Sequence, residues 1–292
     1  MSSEQLESRG NRTVGPWPKV EWGRPLLVTL SLVLAGTAGY VSAHPASTPA
    51  AVVAAARSAV SPGKATARVT SLVLNGVSRS ADMDDAGALL APSPLEIRIV
   101  LPDGYLEISR LDPAVIWSWG TYGGAPVNKF TPLQPGIQTK SSVEGVLDEA
   151  QLTLACFTLG VLADTNTVLG LSPVRLTSCG VGCTEVRMSG RSGVSADLEV
   201  DSSSWLPLRV RYEGRVRFPR PRHQTPAGRP PLPTPLPAAE SAPVVLSFDE
   251  RRLVDGLRLP FLIRKTSRGV LLREIRIEKV AVNPPPSGKE IR

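Results

Sequence analysis

The chain has 292 residues, 42% of them hydrophobic, and a formal net charge of +7. That length holds one large domain or two small ones, and the apolar share is enough to bury a core, which excludes disorder of the whole. A positive balance suits nucleic acid or an anionic membrane surface; the compartment decides between them.

Residues 1–25 read as a cytoplasmic leader that carries Lys19 and Arg24 just ahead of an uncharged stretch, Leu26 to Ala43. The stretch ends in Val41-Ser42-Ala43, which suits a signal peptidase. Its length also suits an uncleaved membrane anchor with Trp17 and Trp22 at the interface. In both cases the positive-inside rule places everything that follows in the periplasm or otherwise outside the cytoplasm, and this removes nucleic acid as a partner. No cysteine ends the stretch, so attachment through a lipidated cysteine is not expected.

Residues 44–285 form the body. Thr48 caps and Pro49 opens a short helix through Val60, with Val52, Val53, Ala56 and Val60 on one face. Strand-like segments follow at Ala67–Ser78, Pro94–Leu101, Tyr105–Leu111 and Val115–Gly120, with a turn at Pro102-Asp103-Gly104 and a bulge or bend at Gly76. A capping box from Ser141 to Glu144 opens a second helix, Val143 to about Ala163, in which Val143, Val146, Leu147, Ala150, Leu154, Phe157 and Val161 recur at helical spacing. Cys156 lies in it as a buried thiol. Strands resume at Pro173–Thr177 and Thr184–Met188. Between them, Cys179 and Cys183 flank a glycine loop: in an oxidising compartment they close a disulfide, or else they supply half of a zinc site. The zinc reading needs two more ligands, and the chain has just two histidines, His44 and His223.

The C-terminal part fixes the fold class. Leu206, Leu208, Val210, Tyr212, Gly214, Val216 and Phe218 alternate with Trp205, Pro207, Arg209, Arg211, Glu213, Arg215 and Arg217, so a period of two puts the charges on one face. Val194–Asp201, Leu246–Asp249 and Leu257–Arg264 repeat the pattern. One-sided strands of this kind belong to antiparallel sheets. Pro219–Pro243 interrupts them as a proline-rich exposed insertion in which Arg220, Arg222 and Arg229 face solvent or an acidic surface. The chain after Val282 is expected to fray, with residues 286–292 as a flexible tail.

The segments VDSSSWLPLRVRYEG and LSFDERRLVDGLRLPFLIRKTSRGVLLREIRIEKVAVNPPP resemble the C-terminal half of the periplasmic outer-membrane lipoprotein carrier and lipoprotein-sorting (LolA/LolB-like) family. The matching features are Asp201 before Leu206-Pro207, and the Asp255-Gly256 turn before Leu259-Pro260. LEIRIVLPDGYLEISR agrees more loosely, with its proline-aspartate turn between paired strands. The resemblance runs from about Ala50 to Pro285 in order of elements, and the proline insertion departs from it. It implies an α+β fold: a half-open antiparallel β-barrel wrapped around two or more helices, with an apolar cavity for acyl chains. Alternation and the family together place Trp117, Trp119, Leu208, Val210, Tyr212, Phe248, Leu259, Phe261, Ile263, Ile275 and Ile277 on the inner face.

No catalytic constellation stands out. Gly190-Arg-Ser-Gly193 is one residue short of a nucleophile elbow and reads as a hairpin turn. Asp82, Asp84, Asp85 and Glu250 are carboxylates that nothing in the sequence pairs. The expected function is a non-catalytic, cofactor-free extracytoplasmic carrier of a lipid or lipoprotein acyl chain, in contact with a membrane surface. The alternative is a membrane-anchored envelope interaction or sensor module of the same fold without lipid transfer.

Overall fold

The computed structural model describes residues 48–63, 65–82, 88–112, 115–131, 143–165, 169–219 and 238–285, all within the compact unit Ala43–Arg292. The expectations for residues 1–25, for Leu26–Ala43, for Ser141 of the capping box, for both histidines, for the centre of the proline-rich insertion and for residues 286–292 fall outside them.

Helix α1, Pro49–Val60, begins as its sequence dictates: Thr48 Oγ1 accepts a hydrogen bond from the Ala51 amide at 3.2 Å, and Val52, Val53, Ala56 and Val60 are buried. The next residues depart from expectation. Ala65–Arg68 form a short 3-10 turn, so the first strand, β1, runs Ser71–Ser80. It leads into a meander of β2 (Ser93–Val100), β3 (Gly104–Asp112), β4 (Val115–Tyr122) and β5 (Ala125–Thr131). β5 was not legible beforehand, because Pro126 and its half-exposed residues blur the alternation. Its signal is the two-residue turn Gly123-Gly124, whose φ values of 58° and 76° are the left-handed pair a tight hairpin needs.

Helix α2, Val143–Leu162, follows β5, and then come β6 (Ser172–Gly180), β7 (Cys183–Ser189), β8 (Ser195–Asp201), β9 (Pro207–Val216), β10 (Glu240–Val254), β11 (Leu257–Ser267) and β12 (Val270–Val282). All neighbours are antiparallel, in the order β5-β4-β3-β2-β1-β12-β11-β10-β9-β8-β7-β6. The chain therefore meanders outward to one edge, crosses by α2 to the other, and meanders back until β12 lies beside β1. Among the described residues the edge strands β5 and β6 have no outer partner, so the sheet is open.

α2 is long and apolar enough to span a membrane by length and composition, yet most of its apolar stretch is buried inside the fold. It touches β3, β4 and β5 on one flank and β8, β9, β10 and β11 on the other, with few contacts to the central β1, β2 and β12. A flat sheet about 4.8 Å per strand wide would meet a crossing helix first at its middle. Contact at both flanks means that the sheet curls around the helix.

Bulges place the side chains that alternation misjudges. Gly76 lies where the β1–β12 register slips, and a Cβ there would stand 2.1 Å from the Arg276 carbonyl oxygen. A second slip, where Val200 pairs with Pro207 and Glu199 with Arg209, makes Leu208 the extra residue. Pro207 takes the buried position, and Leu208, expected on the inner face, is 36% exposed. The proline-rich insertion is also shorter than expected, because Glu240–Pro243 belong to β10. Pro243 opposes Glu213 of β9, and the β11 register starts one residue later, where a residue without an N–H interrupts no ladder. Finally, the chain past Val282 does not fray at once. Asn283 Oδ1 accepts from the Thr70 amide at 2.8 Å and the Ser71 amide at 3.1 Å, and its Nδ2 donates to the Arg68 carbonyl at 2.7 Å.

Candidate functional site

Between α2 and strands β3–β5 and β9–β12 lies a cavity of about 950 Å³, near the top of the ~300–1,000 Å³ range of small-molecule sites. One wall is aromatic. Trp117 of β4 stacks on its cross-strand partner Phe130 of β5 with centroids 6.4 Å apart, and its Nε1 donates to Asn128 Oδ1 at 3.0 Å. Trp119 meets Tyr105 edge-on at 6.1 Å, and Tyr105 packs against Phe157 of α2 at 5.6 Å. Opposite stand Tyr212, Leu246, Ile263 and Ile275, with Val146 and Thr153 contributed by α2.

Of the residues expected on the inner face, Trp117, Trp119, Tyr212, Ile263 and Ile275 line this cavity. Val210, Phe248, Leu259, Phe261 and Ile277 are buried core instead. Phe248 illustrates why. Its ring presses on α2 where Gly160 has no side chain, so the helix fills that part of the concavity.

Charged residues in the cavity went unrecognised in the sequence. Glu107, 3% exposed, accepts hydrogen bonds from the Tyr105 hydroxyl and from Arg273 Nη1 at 2.6 Å, while Arg273 Nε donates to Ser78 Oγ at 2.7 Å. Burial, reinforced by the Glu107 charge, pushes the Tyr105 phenol well above its ordinary pKa and keeps it a donor. Lys265 of β11 is the direct cross-strand neighbour of Arg273, and burial pushes its pKa down, partly opposed by Glu149. Glu149 of α2 is pushed up by burial, against the pull of Lys265, Arg215 and Arg217. The signal for these groups was present. Lys265 shares the parity of Phe261 and Ile263, Arg273 that of Ile275 and Ile277, and Glu107 that of Tyr105.

The outer face is an ionic lattice. Arg187 pairs with Asp197 through two hydrogen bonds of 2.7 Å, and Arg211 bridges Glu185 at 2.6 Å and Glu199, which Arg209 also approaches at 3.6 Å. Glu250 meets Arg276 at 3.1 Å. Arg209 and Arg211 are thus already engaged by carboxylates. Arg215 and Arg217, expected on the same face, border the cavity instead, where β9 runs on past its last register pair with β8 at Tyr212.

Cys179 and Cys183 are joined by a disulfide across the β6–β7 hairpin, with Cα atoms 5.3 Å apart. Among the described residues they also form, with Glu199, the one cluster at metal-ligand spacing, but sulfurs bonded to each other cannot serve as thiolate ligands. Cys156 is fully buried, and burial pushes its thiol pKa up, which leaves it inert. Gly190 and the 3-10 turn Arg191–Gly193 join β7 to β8, with no strand-to-helix elbow.

No protein-family model and no curated protein sequence matches the chain. Among solved structures it is similar to a LolA superfamily protein from Nitrosomonas europaea, at 12% identity and a TM-score of 0.38. It is also similar to a DUF1329 family protein from Desulfovibrio piger, at 10% identity and a TM-score of 0.40. Each comparison covers 82% of this chain and 95% of the other. The first neighbour bears the superfamily name of the resemblance read in the sequence.

Proposed function

We propose that the protein is a non-catalytic extracytoplasmic carrier that shelters the hydrocarbon chain of a lipid or lipoprotein in the cavity between α2 and strands β3–β5 and β9–β12. The observation that carries this reading is the cavity itself: the described residues enclose about 950 Å³ beside an aromatic wall of Trp117, Trp119, Phe130 and Phe157. Each methylene withdrawn from water contributes ~0.8 kcal/mol, so a chain of about ten carbons supports micromolar binding before ordering costs. Nothing in the binding step requires a reacting group or a cofactor.

The test is organic extraction of the purified full chain followed by lipid mass spectrometry, together with titration by a fluorescent fatty acid. A co-extracted lipid and saturable uptake of the probe are expected. A protein that carries no lipid and takes up no probe is not a carrier, and the fold then serves an envelope interaction or sensor module held by its N-terminal segment.

A further inference from the structure

A cavity meant for hydrocarbon alone has no use for four cations, yet Arg215, Arg217, Lys265 and Arg273 line this one against two carboxylates, Glu107 and Glu149. The two carboxylates are not equivalent. Glu107 is committed to Arg273 and the Tyr105 hydroxyl, so that pair is internally balanced. The remaining three cations act on Glu149, which places them in one neighbourhood. Among the described residues, none of the three has a hydrogen bond or an ion pair to a carboxylate. Lys265 is the telling member. It stands directly across from Arg273, a like-charge pairing that weakens a sheet, and its half-buried ammonium group has no hydrogen bond among the described residues. Glu149, partly desolvated on the face of α2, is the carboxylate that the described residues set against these cations.

We infer that this part of the cavity seats the anionic head, a phosphate or a carboxylate, of a single-chain or multi-chain amphipath, with Lys265, Arg215 and Arg217 as its hydrogen-bond donors. The inference rests on the proposed carrier function and specifies the class of ligand. The arrangement divides the labour: the aromatic wall takes the chain, and the cation cluster takes the head. Charge-assisted hydrogen bonds to an anion in a partly dry site are about twice as strong as neutral ones, so the head selects among lipids of equal chain length. Arg215 and Arg217 are exposed and Lys265 is half-buried, which places the polar end toward water.

The experiment compares dodecyl phosphate, dodecanol and inorganic phosphate as ligands of the full chain, read by the fluorescence of the cavity tryptophans. Dodecyl phosphate is expected to bind on the order of tenfold more tightly than dodecanol, and inorganic phosphate far more weakly than either. Lys265→Met and the double change Arg215→Gln with Arg217→Gln should each abolish the preference for dodecyl phosphate over dodecanol. Lys265→Arg should retain it. The arginine changes are at exposed positions, so their result stands even if Lys265→Met impairs folding. Equal affinity for the two dodecyl compounds, or a preference that survives both variants, overturns the head-group site but leaves the carrier reading intact. Inorganic phosphate binding as tightly as dodecyl phosphate overturns it in favour of a small-anion site. Failure of both dodecyl compounds to bind removes the carrier reading and this inference together.

Discussion

Asp201 shows how one side chain can build a turn. Its Oδ1 accepts from the Ser203 amide at 3.0 Å, the Ser204 amide at 2.7 Å and the Ser204 hydroxyl at 2.9 Å, as well as from the Ser203 hydroxyl, and so organises the Ser202–Ser204 connection from β8 to β9. Those bonds favour the carboxylate and hold its pKa down to about 2. A carboxyl depressed in the folded state stabilises it above the unfolded value near 4, and that contribution disappears as the pH falls through the folded value. For this exposed turn the contribution is below about 1 kcal/mol after screening by solvent. Asp201→Ala should therefore lower the urea midpoint at pH 7, and the gap from the parent should close between about pH 4 and pH 2. A gap that stays constant over that window would mean that the carboxylate charge is not its source. The aspartate was legible in the sequence as part of the family resemblance. Its bonding to the serines was not, because it depends on the rotamers of a turn.

At the scale of elements, α2 is positioned by a clamp and a notch. Arg251 Nη2 donates to the Gly160 carbonyl at 3.3 Å in the last turn of the helix and also to the Pro207 carbonyl, while Nη1 donates to the Arg258 carbonyl at 3.2 Å. Burial lowers its pKa to about 10 without discharging it near neutrality. The notch is Gly160, where a Cβ would stand 2.0 Å from Phe248 Cε2 and Cζ. Gly160→Ala should destabilise the fold by about 1–3 kcal/mol through overpacking, more than the ~1 kcal/mol that alanine contributes to the helix. Chemical denaturation measures this, and pairing it with Phe248→Leu should recover part of the loss. An alanine variant as stable as the parent would show that the ring moves aside freely. Both helices were readable to within a residue or two, since periodicity and caps are local. Phe248 was placed on the inner face correctly by parity, but whether an inner residue meets a helix or a cavity depends on where α2 lies, which no local pattern encodes.

The described residues of the unit Ala43–Arg292 form one open sheet whose two edge strands are connected through α2. That topology makes the cavity a matter of fit between α2 and the curl of the sheet. Thr153, on the helix face that lines the cavity, is the place to test it. Thr153→Trp should fill part of the space, leave the thermal midpoint within a few degrees of the parent, and weaken fatty-acid probe binding at least about tenfold. Unchanged binding in a folded variant would place the ligand elsewhere.

The antiparallel, one-sided character of the strands follows from the order of residues alone, because a period of two is a local property of the chain. Both helices and the inward parity of Ile263 and Ile275 follow from equally local patterns. Only the tertiary structure decided that Pro207 displaces Leu208, that Phe248 is packed shut while Trp119 faces open space, and that Lys265 stands beside Arg273 in that space. These outcomes depend on register slips and on the distance between a helix and a curved sheet, which arise from contacts between residues far apart in the chain.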